Sequence, residues 1–351
     1  MIHKAEGGRR KAEGKEPENN VDWGYFRLSP FAFRLVYSAF LLCCALAAFS
    51  ASAQQYPARP IRLIVGFTAG GATDLSARFV AQKLSETIGQ PVVVENRPGA
   101  ASTLASEAVA RSAPDGYTML HANATVAMPS LFAKLSFDVR KDLVPVSLVG
   151  YGPLVIVAHP SLPAKTVKEL IALARRKPGM LNYGSAGVGS MTHLGMALLI
   201  SMTKVDMVHV PYKGSSQAAV GLITGDAQIM FSAPAAVIPQ MKEGRLRAIA
   251  VSGTTRSLVL PDVPTIAESG LPGYDATSWY GFLAPAGTPR AAISRLGDET
   301  MKALTAADLK ERLLGQGVEP AKGGVEEFTG FLAAEILKWA QVIKAAGIPP
   351  Q

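Results

Sequence analysis

Pro60-Ile61-Arg62-Leu63-Ile64-Val65-Gly66-Phe67-Thr68-Ala69-Gly70-Gly71-Ala72-Thr73-Asp74 decides the reading of this chain. Ile61, Leu63, Ile64 and Val65 make a short apolar run of buried-strand type, and Gly66 to Thr73 supply uncharged, flexible backbone. The spacing predicts a helix from Leu75 to Ile88, with Leu75, Phe79, Leu84 and Ile88 near one face. Asp74 or Thr73 is placed to N-cap it, and Gly89 stands where a left-handed C-cap belongs. Strand, glycine loop and helix start together aim free N–H groups and the positive end of a helix dipole at one point, which favours an anion. We read that anion as a carboxylate.

Toward the N-terminus, Phe31 to Ser50 is nearly all apolar, has Arg27 and Arg34 at its head and leads into Ala51-Ser52-Ala53. A basic flank, an apolar core and an A-x-A site describe a secretory signal peptide over residues 1–53, cleaved after Ala53. The alternative is an uncleaved anchor, against which the apolar run is near the lower length limit for spanning. Residues 1–26 are long for such a leader, so translation starting downstream, at Val21, is a second expectation. Cys43 and Cys44 follow Leu41-Leu42, whereas a lipoprotein signal requires a small residue before its cysteine. Both cysteines lie in the leader, so the exported part has no disulfide or thiol chemistry available.

At 351 residues and 48% apolar content the chain can build one large or two ordinary domains around packed cores. Its formal charge is +8, and about +6 remains after residue 53. That balance suits an anionic ligand. The basic residues are scattered, without runs or aromatic interleaving, so no nucleic-acid partner is expected.

Toward the C-terminus the pattern repeats. Pro91 to Glu95 reads as a strand, Ser102 to Ala113 as a helix and Tyr117 to Ala122 as a strand, followed by the polar loop Asn123 to Pro129. Val144 to Ala158 is a long strand pattern broken by Gly150, Gly152 and Pro153, read as a crossing between domains. Thr166-Val167-Lys168-Glu169 is a capping box. Leu181 to Tyr183 then feeds Gly184-Ser185-Ala186-Gly187-Val188-Gly189-Ser190 and a helix from Met191, which repeats the opening arrangement. Val208 to Pro211, the loop Tyr212 to Ser216 and a helix from Gln217 repeat it again. Ser278 to Ala284 reads as the return strand, and Phe328, Leu332, Ile336, Trp339 and Ile343 mark one face of a last helix. Strands alternating with helices imply mostly parallel sheets. The expected domains are 54–155 with 278–351, and 156–277.

The residues carry no catalytic set. The histidines form no metal-binding pair flanking a glutamate, and Ser185 and Ser190 lack the glycines of a nucleophile elbow. Gly66 to Gly71 lacks the Lys-Ser/Thr that grips a phosphate, and Gly184 to Gly189 is not a dinucleotide fingerprint. No enzyme activity, metal or cofactor is expected. What recurs is a set of Gly, Ser and Thr loops at the carboxyl ends of strands, where open α/β sheets bind ligands. The candidate binding residues are Phe67, Ala69, Gly70, Gly71, Asp74, Asn123, Thr125, Ser185, Gly187, Ser190, His193, Tyr212, Gly214, Ser215 and Trp279. Three carry an alternative: Phe67 as a core residue, His193 as a structural hydrogen-bonding residue and Asp74 as a helix cap. Phe67, Trp279 and Tyr280 are the candidates for packing on the apolar body of the ligand.

The ordered motifs Tyr56-Pro57-Ala58-Arg59-Pro60, Gly66 to Asp74, Val94-Glu95-Asn96-Arg97-Pro98-Gly99, Asp115-Gly116-Tyr117, Asn182 to Ser185 with Gly187 to His193, Val210 to Gly214 and Leu260 to Gly270 resemble the Bug family. Those proteins are periplasmic solute receptors of tripartite tricarboxylate transporters. The resemblance covers Tyr56 to Ile348 and implies a type II periplasmic binding protein, a Venus flytrap of two doubly wound α/β domains joined by two crossover strands. It implies an organic-acid ligand gripped by loops 67–74 and 184–193, with 212–216 and 123–127 lining the remainder. It also implies a monomeric receptor that delivers its ligand to integral-membrane transporter subunits. A sensor for a signalling partner, or an enzyme on the same fold, are the alternatives. One departure is Gly66, where the family more usually has proline. Another is the 123–127 loop, which lacks the usual serines.

Overall fold

The structure, a computed structural model, describes residues 56–350 together with Arg34, Leu35 and Ser38. The expected leader, its cleavage site and both cysteines otherwise lie outside the described residues. No helix among the described residues is long and apolar enough to cross a membrane.

The opening stretch folds as its pattern requires. In β1 (Ile61–Val65) four of the five residues are buried, and Arg62 turns outward to pair with Glu95 of β2 (Val92–Asn96) at 2.7 Å. Helix α1 (Ala72–Ile88) ends at Gly89, whose φ of 75° lets its N–H reach Ser85 O. The helix starts earlier than expected, with Gly71 rather than Thr73 or Asp74 at the N-cap. The glycines permit this early turn.

Next come α2 (Thr103–Ala110), shorter than its pattern suggested, and β3 (Thr118–Asn123), α3 (Val139–Asp142) and β4 (Leu143–Gly152). The apolar run 144–158 is two strands in two different sheets, β4 and then β5 (Val155–Ala158), separated at Pro153. Proline has no N–H for a ladder, so the strand pattern breaks there. Helix α4 (Val167–Arg176) is capped by Thr166 Oγ1, which accepts from Glu169 N–H; Glu169 returns to the N–H of Lys165. The remaining elements are β6 (Asn182–Ser185), α5 (Met191–Thr203), β7 (Val208–Pro211), α6 (Ser215–Thr224), β8 (Ile229–Ser232), α7 (Pro234–Lys242), β9 (Arg247–Val251), β10 (Ser278–Pro285), α8 (Arg290–Leu304), α9 (Ala307–Gly315), β11 (Glu319–Pro320) and α10 (Val325–Ala345).

Two mixed sheets result, in the strand orders β11-β4-β10-β3-β1-β2 and β7-β6-β8-β5-β9. Each keeps a parallel nucleus, β2-β1-β3 in the first and β7-β6-β8 in the second. Each also has an antiparallel strand bordering a crossing: β10 lies between β3 and β4, and β5 between β8 and β9. The expectation of mostly parallel sheets is corrected by these two strands, each of which follows a crossing and runs against both its neighbours, and by the short β11, antiparallel to β4. The two-lobed α/β architecture itself is the expected one.

Phe328, Leu332, Ile336, Trp339 and Ile343 of α10 are all buried, and β10 meets them with Trp279. Gly281 of β10 leaves room for the Phe328 ring, which a Cβ would overlap. Each large side chain buried there stabilises the lobe by roughly 1.5–3 kcal/mol.

Candidate ligand site

Beyond β1 the chain passes Ser102 so closely that a Cβ on Gly66 would overlap its hydroxyl and lie 2.7 Å from its Cα. The glycine at 66 is therefore imposed by the neighbouring turn, where Ala100, Ala101 and Ser102 hold φ of 44°, 49° and 77°. Gly70 takes φ of 84°, and Thr68 to Gly71 are exposed at the tip. The N–H groups of Ala72, Thr73 and Asp74 open the helix without intrahelical acceptors.

Asp74 braces this loop from behind and is only 1% exposed. Its carboxylate accepts from Gly70 N–H and Asn96 Nδ2, both at 2.8 Å, and from Arg78 Nε at 3.0 Å. Asn96 Nδ2 also reaches Phe67 O at 3.0 Å, which ties the loop to the end of β2. Burial pushes the Asp74 carboxyl up, but the bonds from Arg78, Gly70 and Asn96 outweigh it and hold the group below the ordinary carboxylate range. Arg78 balances its charge, so the anion-favouring field of α1 is not cancelled. Asp74 is a loop brace, neither the N-cap nor an open binding group. Under the same turn, Ser76 Oγ donates to Thr73 O and meets His121 Nε2 at 2.9 Å. His121 is fully buried against Tyr280 and Phe282, and burial lowers its pKa to about 3, so it is neutral.

The second loop is braced by its own hydroxyls. Ser190 caps α5, accepting from His193 N–H and donating to Gly187 O at 2.7 Å. Ala186 N–H donates to Thr192 Oγ1 at 2.9 Å. Ser185 Oγ accepts from Gly187 N–H at 3.1 Å and meets His209 Nε2 at 2.6 Å, and the residue is fully buried. Ser185 therefore faces into the lobe, away from the loop's open side. His193 Nδ1 accepts from Gly189 N–H at 3.2 Å, which leaves Nε2 to carry the ring proton. Burial first, and His209 second, lower the His193 pKa to about 4. Gly187 and Gly189 hold φ of 123° and 77° and make the turn.

The segments the sequence singled out form a continuous run. Gly66 meets Ser102; the single proton of Thr125 Oγ1 lies within reach of Asn123 Oδ1 at 2.6 Å and of Ala101 O at 3.2 Å. Leu131, just beyond, packs at Gly189 across the two lobes, where a Cβ would come within 3.1 Å of it. Tyr212 N–H donates to Ser185 O at 3.0 Å, carrying the run to Gly214, whose φ is 121°, and to exposed Ser215 at the start of α6. The Tyr212 ring lies across Gly221 of α6. Phe67 is partly buried against the first lobe's core, and Ala69 is exposed beside it.

Trp279 does not join this run. It is fully buried, edge-on to Phe328 and Phe331, and its Nε1 donates to Glu335 Oε2 at 3.1 Å. Alternation along β10 turns it toward α10. Tyr280 is buried too, against His121. Residues that sequence reasoning missed are Asn96, Arg78, Ser102, Leu131 and His209. Asn96 had a legible signal, since a buried Asp74 requires a donor and Asn96 ends the adjacent strand.

A cavity of about 400 Å³ lies apart from these loops, beside both crossings, lined by Tyr151, Pro153, Asp275, Thr277, Glu319 and Phe331 among others. With two carboxylates and no cation in its lining, it does not suit an acid.

Residues 76–348 match the family described as tripartite tricarboxylate transporter family receptor. The chain is 38% identical to Protein BugT of Bordetella pertussis over 89% of this chain and 96% of that protein. The solved structure of R. palustris Rpa4515 with adipate superposes with a TM-score of 0.74 at 34% identity, over 85% of this chain and all of that one. MatC (Rpa3494) from Rhodopseudomonas palustris with bound malate gives 0.69 at 33% identity, over 82% of this chain and all of that one.

Proposed function

This chain belongs to the tripartite tricarboxylate transporter receptor family, and we propose that it captures a small organic acid between its lobes and delivers it to membrane-embedded transporter subunits. The observation that carries the reading is the run of loops from both lobes, in which the helix start at Ala72 offers main-chain N–H groups beside exposed Thr68 to Gly71, and the start at Met191 follows a half-buried loop with Val188 exposed. Adipate and malate in the two related structures support the ligand class.

On this reading Phe67, Ala69, Gly70 and Gly71 meet the acid from one side, and Gly187, Ser190 and His193 Nε2 from the other. Asn123, Thr125, Tyr212, Gly214 and Ser215 line the remainder. Hydrogen bonds to a charged acceptor contribute roughly 1.5–3 kcal/mol each. Three or four therefore suffice for micromolar binding, about −8 kcal/mol, after association costs. No arginine is required. The lobes are 54–155 with 278–351, and 156–277, and they close by bending where β4 passes to β5 and where β10 returns. The receptors of the family are periplasmic, and residues 1–53 serve as the leader that takes this one there.

Calorimetry of the ligand-stripped protein against mono-, di- and tricarboxylates, adipate and malate among them, tests the reading. One acid binding at micromolar affinity or better is expected, and no heat from any of them sinks the proposal.

A further inference from the structure

Helix α4 presents a stripe that the ligand loops do not use. Lys168, Ile171, Ala172 and Arg175 are spaced by three and four residues and share one face. That face looks away from buried Val167, Leu170, Leu173 and Ala174 and into a groove of about 340 Å³. The opposite wall is Met202 and Thr203, at the end of α5, with Gly270 and Leu271. Gly270 holds φ of 105°, and a Cβ there would come within 2.9 Å of Lys168 Cε, so the lysine stem lies along bare backbone. The groove mixes apolar side chains, Ile171, Ala172, Met202 and Leu271, with a cation at each end.

Its cations outnumber the nearby carboxylates, Glu169 on the same helix and Asp206 beside Gly179. Lys165, Lys168, Arg175, Arg176, Lys177 and Lys204 are all exposed, and none of them forms an ion pair among the described residues. Elsewhere on the surface, Arg59, Arg62, Arg111 and Arg256 each have a carboxylate partner, whereas Lys134, Lys213, Lys242 and Lys310 are, like these six, in no ion pair among the described residues; the groove differs in gathering its cations in one place. The only hydrogen bond from any of these six cationic groups, among the described residues, runs from Arg175 Nη2 to Thr203 O at 3.4 Å. The groove is also remote from the ligand loops: α5 begins at the second loop and ends in the groove wall, about 18 Å away along its axis.

We infer that this groove docks an acidic, amphipathic segment of the transporter's membrane subunits, with two carboxylates roughly 10 Å apart to match Lys168 and Arg175 and an apolar side chain between them. The partner's identity rests on the receptor reading above. A shallow groove that sets apolar side chains between two cations fits an amphipathic peptide segment better than a flat layer of lipid headgroups. Clustered positive charge speeds encounter and orients the receptor, and docking of this kind weakens with salt.

The test compares the wild-type protein, Lys168→Glu/Arg175→Glu and the conservative Lys168→Arg/Arg175→Lys. Each is measured for carboxylate affinity by calorimetry and for binding to phosphatidylcholine nanodiscs holding the membrane subunits. The charge-reversed variant should keep its carboxylate affinity and lose roughly tenfold or more in nanodisc binding, while the conservative variant keeps both. Equal nanodisc binding by the charge-reversed and wild-type proteins overturns the groove assignment, as does wild-type protein that binds the acid but not the nanodiscs. Charge-dependent binding to empty nanodiscs containing phosphatidylglycerol assigns the surface to lipid and overturns the peptide partner. If no carboxylate binds the wild-type protein, the receptor reading has failed and the partner assignment falls with it; nanodisc data alone then decide whether the surface docks anything.

Discussion

The imidazoles of His193 and His209 stack face to face, with ring centroids 4.0 Å apart and planes within 3°. Tyr183 extends the stack on the His209 side at 4.9 Å. Burial holds both histidines below their ordinary pKa, and the neighbouring ring adds to this for His193, which lies at about 4. Only a neutral His193 can accept the Gly189 N–H that shapes the second loop. An unfolded histidine takes up its proton near 6.5. Between there and about 4 the unfolded chain thus binds more protons than the folded one, and stability falls as pH falls. Denaturant titrations from neutral to acidic pH should show this decline. His193→Gln, which keeps an acceptor but cannot titrate, should flatten the slope by close to one proton, roughly 1.4 kcal/mol per pH unit at most. His121 contributes to the wild-type slope as well, so the difference between the two proteins is the measurement that counts. An unaltered slope rejects the assignment.

Gly71 separates binding from folding. Its φ of −78° and ψ of 165° are open to a β-branched residue, and a Cβ there would meet nothing nearer than Thr68 O at 3.7 Å. Gly71→Val should leave stability within about 1 kcal/mol of wild type, with any gain coming from the restricted unfolded chain. Its side chain stands over the exposed amides of the loop, so affinity for the acid should drop by roughly tenfold or more. Calorimetry showing full affinity removes this loop from the site.

Gly66 and Ser102 should be energetically coupled. A methyl group at 66 overlaps the serine side chain, and Gly66→Ala should cost about 1–3 kcal/mol through overpacking. Ser102→Gly removes the colliding Oγ and Cβ but not the Cα, and it relieves the strain of a non-glycine residue at φ of 77° at the expense of a looser unfolded chain, so alone it should be close to neutral. The double variant should recover part of the loss, a coupling of about 1 kcal/mol in a double-mutant cycle. Strict additivity contradicts the contact.

Much of the fold was legible because period and punctuation agreed: β1, α1 with its Gly89 cap, the α4 capping box and the α10 face all follow from local pattern. Strand direction was not legible. Nothing in Ser278 to Pro285 records that β10 arrives from the other lobe, and the break at Pro153 does not say which sheet each half of the run joins. At the candidate site, glycines and hydroxyls marked the loops, but the sequence could not distinguish side chains facing outward from those bracing the loop. Asp74 and Ser185 carry the right chemistry for a ligand, yet their oxygens are engaged by Gly70, Asn96 and Arg78 in one case and by Gly187 and His209 in the other. Gly70, Arg78 and Gly187 are local, but Asn96 and His209 are brought in by tertiary structure from strands 22 and 24 residues distant.

Trp279 gives the sharpest separation between a core residue and a ligand residue. Its Nε1 shares Glu335 Oε2 with Trp339 Nε1, at 3.1 and 2.9 Å, while Lys338 pairs with the other carboxylate oxygen. Glu335 is 4% exposed, so each donor helps to keep a buried charge solvated. Trp279→Phe removes one of the three and should cost about 1–3 kcal/mol, and Trp279→Ala about 3–5 kcal/mol with the cavity it leaves. Affinity for the acid, measured well below the midpoint of unfolding, should stay within about twofold of wild type for Trp279→Phe, because the indole has no exposed surface to offer a ligand. A large loss of affinity in a stably folded Trp279→Phe protein would return this residue to the binding surface and would require β10 to present its other face when the acid is bound.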